Sequence, residues 1–386
     1  MKLIFGVDAI FPPLTGIGRY AWELASRLAE HPELDEVRFF SMGRWVPDPA
    51  ALLENPKSTI PTRRALAISA RKWLSSRTWA VAAYARLSPL LYAYRLHALG
   101  DRIFHSPNYF LPPISGPGVA TVHDLSTYKF PDTHPAARWR YFDREIKNTL
   151  RRADHLITDS EATRREVIEF FGWPAQKVTA IPLGVSPHFA PRSADELQMT
   201  LTRYGVESGR YALCVSTVEP RKRLDSLLRG YELLPDRVRA RYPLVLAGGK
   251  GWLSDRLHEL IDRGQRGGWV KYLGYVPEED LPLLYAGARA FCFISIYEGF
   301  GLPVLEAMAS GVPVLTSNRS SLPEVAGEAG MLVEPDDIDA VRTALERVLL
   351  DEPWRAHARR CGLERAAGMT WERCVERTVR LYSALY

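Results

Sequence analysis

The chain has 386 residues, 46% of them hydrophobic, with a formal charge of +5, which is enough for two domains that each bury a core. Its longest apolar runs are strand-sized and Met1 to Val7 gives way to Asp8, so neither a membrane span nor a secretory signal is expected, and the chain is placed in the cytoplasm. Cys214, Cys292, Cys361 and Cys374 have no paired metal spacing; buried, reduced thiols are expected, with no disulfide and no zinc, while the modest charge suits phosphate-bearing substrates or an acidic membrane surface without requiring either.

KLIFGVDAI predicts a first strand, and FPPLTGIGRYAWELASRLAEH a loop that meets glycines and then a helix. Gly16 to Ala21 fits G-x-G-x-x-A, so an NAD(P)-dependent oxidoreductase is the rival enzyme class. Pro12, Pro13 and Arg19 count against it, because that fingerprint needs a tight strand-to-helix turn. From Asn55 to Gly100 the chain carries eight Lys or Arg and no acid, interleaved with Trp73, Trp79, Tyr84, Tyr92 and Tyr94. No nucleic-acid motif accompanies this stretch and the rest of the chain is not strongly basic. A membrane-facing surface is expected, carried by Arg63, Arg64, Arg71, Lys72, Trp73 and Trp79; the competing reading is a helical insertion whose aromatics pack on the first domain. DRIFHSPNYFLPP and GVATVHDLSTYKFP predict short strands with His105, Asn108, His123 and Asp124 at their carboxyl ends, the edge that meets ligands in doubly wound folds. HLITDSEATRREVIEFFG adds a strand and a helix capped by Ser160. IPLGVSPHFAP is the natural linker.

The second half restarts the alternation. RYALCVSTVEPRKRLDSLLRGYELL predicts a strand, a turn holding Arg221 and Lys222, and a helix; YPLVLAGGKGW a strand whose turn carries Gly249 and Lys250; WVKYLGYVPEEDLPLL a strand followed by Tyr275. FCFISIYEGFGLPVLEAMASGVPV predicts a strand, a glycine turn and a helix that opens at Pro303 and stops at Gly311. Gly299 and Gly301 flank Phe300 just before Leu302, where backbone N–H groups can approach an anion at the positive end of the helix dipole. Glu298 and Glu306 can both point into one crevice, where carboxylates pair well with sugar hydroxyls. Taken singly, Glu306 could merely complement the helix dipole and Glu298 could be solvated. No Asp-x-Asp metal signature occurs in these loops, and the chain ends in two predicted helices.

With Glu298 and Glu306 set in EGFGLPVLEAMASGVPV, the chain resembles the retaining GT-B glycosyltransferases of family 4, whose E-x7-E signature they match. VSTVEPRKRLDSLL and AGGKGW look most like bacterial mannosyltransferases and D-rhamnosyltransferases of lipopolysaccharide O-antigen assembly. The resemblance implies an α/β fold of two doubly wound, Rossmann-like domains facing a central cleft: residues 1–185 for the acceptor, 186–368 for the nucleotide sugar, and a helix in 369–386 that crosses back. It implies that Glu298 orients the sugar, that Lys222 and Arg221 hold the leaving diphosphate, that His123 stands near the donor sugar, and that Glu306 bonds the ribose. Further donor contacts are implied for Gly16, Gly18, Gly249, Lys250, Tyr275, Gly299, Phe300, Gly301 and Leu302, and cleft or acceptor contacts for Arg19, Asn108 and Asp124. Some members carry an arginine where Ser216 stands, which shifts weight to Lys222. The implied activity is metal-independent, retaining transfer of mannose or D-rhamnose from a GDP-sugar to an undecaprenyl-diphosphate-linked saccharide at the inner leaflet of the cytoplasmic membrane, with no cofactor and no nucleic acid. A UDP-sugar donor and a non-catalytic sugar-nucleotide-binding protein stay open.

Overall fold

A computed structural model describes residues 1–53, 92–131, 136–251 and 254–386. Arg63, Arg64, Arg71, Lys72, Trp73 and Trp79 lie outside the described residues. The chain divides into two units, Met1–Asp159 with Thr163–Ile181 and Trp371–Tyr386, and Ser160–Ala162 with Pro182–Thr370. The main boundary, Ile181/Pro182, stands a few residues before the expected 185/186, and the helix Trp371–Ser383 is counted with the first unit. All four cysteines are free; Cys214, Cys292 and Cys374 are buried, whereas Cys361 departs from the expectation by being partly exposed.

In the first unit, β1 (Lys2–Gly6), β2 (Glu36–Ser41), β3 (Arg44–Val46), β4 (Ile103–Ser106), β5 (Gly118–Val122), β6 (His155–Thr158) and β7 (Val178–Ala180) form a sheet in the order β3-β2-β1-β4-β5-β6-β7. All pairs are parallel except the β2–β3 hairpin. Strands buried on both faces read as continuous apolar runs instead of alternating ones, and β5, GVATV, is buried at every position. The order turns back between β1 and β4, the switch point at which a doubly wound sheet opens a crevice beyond its carboxyl edge. Helix α1 (Gly16–Leu28) starts there, with the Gly18 N–H donating to the Thr15 hydroxyl at 3.2 Å, the bond that makes threonine a favoured cap. Nine residues separate the end of β1 from Gly16, too many for the tight turn of a dinucleotide site.

A buried polar chain ties the helix Trp371–Ser383 into this core. The Tyr382 hydroxyl lies 2.5 Å from His105 Nδ1, His105 Nε2 lies 2.8 Å from Thr121 Oγ1, and Thr121 Oγ1 lies 3.0 Å from the Tyr20 hydroxyl. Burial, helped by the charge on His123, pushes His105 down to about 3. The ring is therefore neutral near pH 7, and a neutral imidazole donates through one nitrogen and accepts through the other, which suits two hydroxyl partners.

The second unit holds β8 (Ala212–Val215), β9 (Leu244–Ala247), β10 (Val270–Gly274), β11 (Ala290–Phe293), β12 (Val314–Ser317) and β13 (Gly330–Val333), all parallel, in the order β10-β9-β8-β11-β12-β13. Its switch point falls between β8 and β11. Leu227, Tyr231 and Leu345 are buried between the sheet and the helices Leu224–Glu232 and Ile338–Leu350. Gly248, at φ +140°, permits a close passage: a Cβ there would stand 1.9 Å from the Ser216 carbonyl oxygen, so no side chain fits.

The polar chain yields a stability test. Tyr382→Phe leaves a buried His105 nitrogen without its partner and should cost about 1–3 kcal/mol, seen as a lower urea midpoint at unchanged slope. An unchanged midpoint would show that the hydroxyl contributes nothing.

Candidate active site

The centre of the second unit's carboxyl edge is Glu298, which follows β11 across the switch point from the 3₁₀ turn Pro220–Lys222 after β8. Lys222 Nζ donates to Glu298 Oε1 at 2.5 Å, and Arg221 Nη1 stands 3.6 Å from Glu298 Oε2. The Lys222 and Glu298 side chains are only 11% and 13% exposed, so neither charge is solvated well enough to stand alone. Burial opposes ionisation of Glu298, but the Lys222 and Arg221 charges outweigh it and hold the carboxyl below its ordinary value. Lys222 Nζ also lies 5.1 Å from the centre of the Phe293 ring, a cation–π placement.

The loops that carry these charges are pinned by backbone contacts. Arg221 Nη1 donates to the Tyr297 carbonyl at 2.6 Å and Nη2 to Glu219 at 2.9 Å, while the Ile296 N–H reaches the Arg221 carbonyl at 3.0 Å. Two of the five Arg221 donors are thus engaged within the protein, and they fix the loop that presents Lys222. Ser320 Oγ donates to the Glu298 carbonyl at 2.5 Å, and Ser321 Oγ to the same oxygen at 2.9 Å and to the Phe300 carbonyl at 2.7 Å. Arg223 and Ser320 both have positive φ, +52° and +55°. Left-handed residues other than glycine are strained and persist where surrounding structure over-determines them.

Gly301, at φ +113°, opens the helix Leu302–Ala309, and Gly299 and Phe300 precede it in the same turn. Glu306 lies one turn into this helix and is half-buried beside the Tyr285 hydroxyl; burial first, and then the Glu306 charge, pushes that phenol well above its usual range. Gly249 and Lys250 follow β9, with Lys250 Nζ donating to Asp255 at 2.8 Å. Tyr275, after β10, is 65% exposed. Every donor-side residue expected in this unit thus stands beyond a carboxyl end, with Glu298 hydrogen-bonded to Lys222 and 3.6 Å from Arg221.

In the first unit, His123 is buried with both ring nitrogens engaged: Nδ1 lies 2.7 Å from Asp159 Oδ2, and Nε2 lies 2.7 Å from the Pro107 carbonyl oxygen. A carbonyl only accepts, so Nε2 carries a proton. Burial disfavours the cation, but the Asp159 carboxylate outweighs it and raises the histidine above its ordinary value. The role carried over to His123, close approach to a sugar, would need the Pro107 bond to be exchanged. Asp124 accepts from the Ser126 N–H at 2.8 Å and the Ser126 hydroxyl at 2.7 Å, which makes it the cap of a local turn. Gly16 and Arg19 begin α1, and Gly18 is packed so that a Cβ would meet the Ala9 carbonyl oxygen at 2.9 Å. Asn108 lines a cavity of about 230 Å³ with Asp8, Phe40, Tyr92, Phe110 and Tyr141. Sequence reasoning overlooked Asp8, Glu219, Arg223 and Asp159; a polar residue directly after a predicted strand was the available signal for Asp8 and Asp159. Among the described residues, no group of three or more His, Cys, Asp or Glu is arranged to hold a metal ion.

Residues 14–189 match the family described as Glycosyltransferase Family 4, and residues 205–365 that described as Glycosyl transferases group 1. The chain is 41% identical over 385 residues to the O-antigen chain mannosyltransferase B of Escherichia coli, covering 100% of both chains. Among solved structures it superposes on a sucrose-phosphate synthase of Thermosynechococcus elongatus with TM-score 0.71 at 23% identity, covering 100% of this chain and 99% of that one. It superposes on Anabaena HepE in complex with UDP with TM-score 0.68 at 17% identity, covering 100% of each. Two doubly wound parallel-sheet units, an E-x7-E pair at the second switch point and full-length identity to a curated relative lead to one assignment: the chain is a glycosyltransferase of family 4 with the GT-B fold.

Proposed function

We propose that this glycosyltransferase moves a hexosyl group, mannose or D-rhamnose, from a GDP-sugar to a lipid-linked saccharide during O-antigen or related polysaccharide assembly, with retention at the anomeric carbon. The observation that supports this reading best is the 41% identity over 385 residues to an O-antigen chain mannosyltransferase. The undecaprenyl-diphosphate carrier belongs to the same proposal.

The chemistry follows from charge. The sugar C1–O bond to the diphosphate breaks, the acceptor oxygen bonds to C1, and the acceptor's proton passes to the departing phosphate oxygen on the same face. Negative charge grows on the leaving group, so the largest help comes from positive groups already aimed at it. Lys222 supplies the charge, Arg221 holds its loop, and the N-terminus of the helix Leu302–Ala309 adds its dipole. Glu298, kept ionised, accepts from sugar hydroxyls, and Glu306 from the ribose. No metal is required in this scheme. On the acceptor side, Asn108, Asp8 and the aromatic side chains of the first unit's cavity suit a saccharide, which offers hydroxyls at its rim and C–H groups on its faces.

Thermal unfolding with nucleotides tests the donor, since a ligand that binds only the native state raises the melting temperature. GDP should stabilise the protein more than UDP, and turnover of the GDP-sugar should persist in excess EDTA. Equal or greater stabilisation by UDP would favour a UDP-sugar donor, activity restored only by added Mg2+ would overturn the metal-free scheme, and binding without any turnover would make the chain a non-catalytic relative.

Membrane association is proposed from residues 55–100, where each cation near an anionic bilayer contributes roughly 1 kcal/mol and Trp and Tyr favour the headgroup level. Replacing Arg63, Arg64, Arg71 and Lys72 with Glu should abolish sedimentation with anionic liposomes and leave GDP binding intact. A wild-type chain that stays in the supernatant at low salt removes this partner.

A further inference from the structure

At the opposite edge of the second unit's sheet lies a cavity of about 410 Å³. Gly209, Arg289 and Pro313 on its wall come just before β8, β11 and β12, whereas Lys222 and Glu298 follow the carboxyl ends of β8 and β11. Nothing in the transfer scheme uses it. Four arginines line it, Arg192, Arg289, Arg355 and Arg359, against a single acid, Glu352.

Two of these arginines are fixed from behind. Arg289 donates to the Leu349 carbonyl through Nε at 3.0 Å and Nη2 at 2.8 Å; Arg355 Nη1 donates to the carbonyls of Arg289 at 2.5 Å and Val348 at 2.6 Å. Glu352 is the one carboxylate on the wall, and its side chain is 67% exposed. It bonds Arg289 Nη2 and lies 3.5 Å from Arg355 Nε, a buried nitrogen with no hydrogen-bond partner. Burial and the neighbouring Arg289 charge push the Arg355 guanidinium down to about 10. Arg359 is exposed and makes no hydrogen bond or ion pair among the described residues; its Nε lies beside Gly311, where an added Cβ would stand 3.3 Å from it. Arg192 is paired outside the wall with Glu196 at 3.3 Å, so Glu352 is left to compensate the partly desolvated Arg289 and Arg355 beside the exposed, unpaired Arg359.

We propose that this cavity binds a phosphoryl group carried on a small organic body. Guanidinium forks match paired phosphate oxygens. The volume lies within the range of small-molecule sites, and Leu197, Val312 and Pro313 supply apolar wall for the body of the ligand. The site is separate from the donor machinery, so it stands or falls independently of the transfer reading.

Calorimetric titration of the full chain bearing Lys222→Ala, which blunts the phosphate-binding charge of the donor site, isolates the cavity. Inorganic pyrophosphate should still bind, more weakly as salt is added. Arg359→Glu should lower that affinity by on the order of tenfold or more, while Arg360→Glu, the same charge change one position along the helix and absent from the cavity wall, should leave it unchanged. Glycerol 3-phosphate and the water-soluble lipid dibutyryl phosphatidylglycerol separate the sources: tighter binding of the monoester assigns a soluble phosphate ester, tighter binding of the diester a lipid headgroup. No pyrophosphate binding, or equal losses in the Arg359→Glu and Arg360→Glu chains, overturns the proposal.

Discussion

The ion pair between Lys222 and Glu298 is the constraint around which the second unit's site is built. Each charge is largely removed from water, and a buried charge left unpaired costs several kcal/mol. Sequence keeps the partners far apart, one after β8 and the other after β11, but these strands are neighbours in the sheet. The meeting is accompanied by strain at Arg223 and Ser320, about 1–3 kcal/mol each, and by Arg221 bonds to the Tyr297 carbonyl and the Glu219 carboxylate. In the proposed scheme an incoming diphosphate would find an ammonium already desolvated and oriented, which is the state in which a cation stabilises developing negative charge most.

Both units reach their candidate residues by the same topological route. In a parallel sheet every strand ends at the same edge, so the loops after β1, β4 and β5 in the first unit, and after β8, β9, β10 and β11 in the second, gather polar residues that are distant in sequence. The opposite edge gathers the residues that precede strands. In the second unit that edge holds Arg289 and Pro313, and it carries the arginine cavity instead of the donor site.

The strands and the glycine turns were legible because burial on both faces leaves unbroken apolar runs, such as LVLA in β9 and AFCF in β11, and because few residues other than glycine adopt the conformation of Gly301. The separate roles of Glu298 and Lys222 were legible through the family resemblance, while Glu298 taken singly could also be a solvated loop residue; that the two side chains meet was announced by no sequence pattern. What stayed hidden was which partner each polar side chain takes, whether remote in sequence or two residues away. His123 read as a cleft histidine, yet its protonation is set by Asp159 and the Pro107 carbonyl. Asp124 read as an acceptor contact, and its carboxylate also closes the Ser126 turn. His105 shares its proton network with Tyr382, a partner no local pattern announces. Arg221 read as a phosphate clamp through the resemblance, and the loop geometry adds that part of its guanidinium bonds Tyr297 and Glu219.

The central claim is that Lys222 and Glu298 act as one electrostatic unit on the donor, and a double-mutant cycle on kcat/KM tests it directly. Lys222→Ala alone should lower kcat/KM by on the order of a hundredfold, and Glu298→Gln should also lower it. Residues that act as a unit are strongly non-additive, so the double variant should fall little below the worse single one. Losses that simply multiply, with no coupling between the two positions, would contradict the shared role.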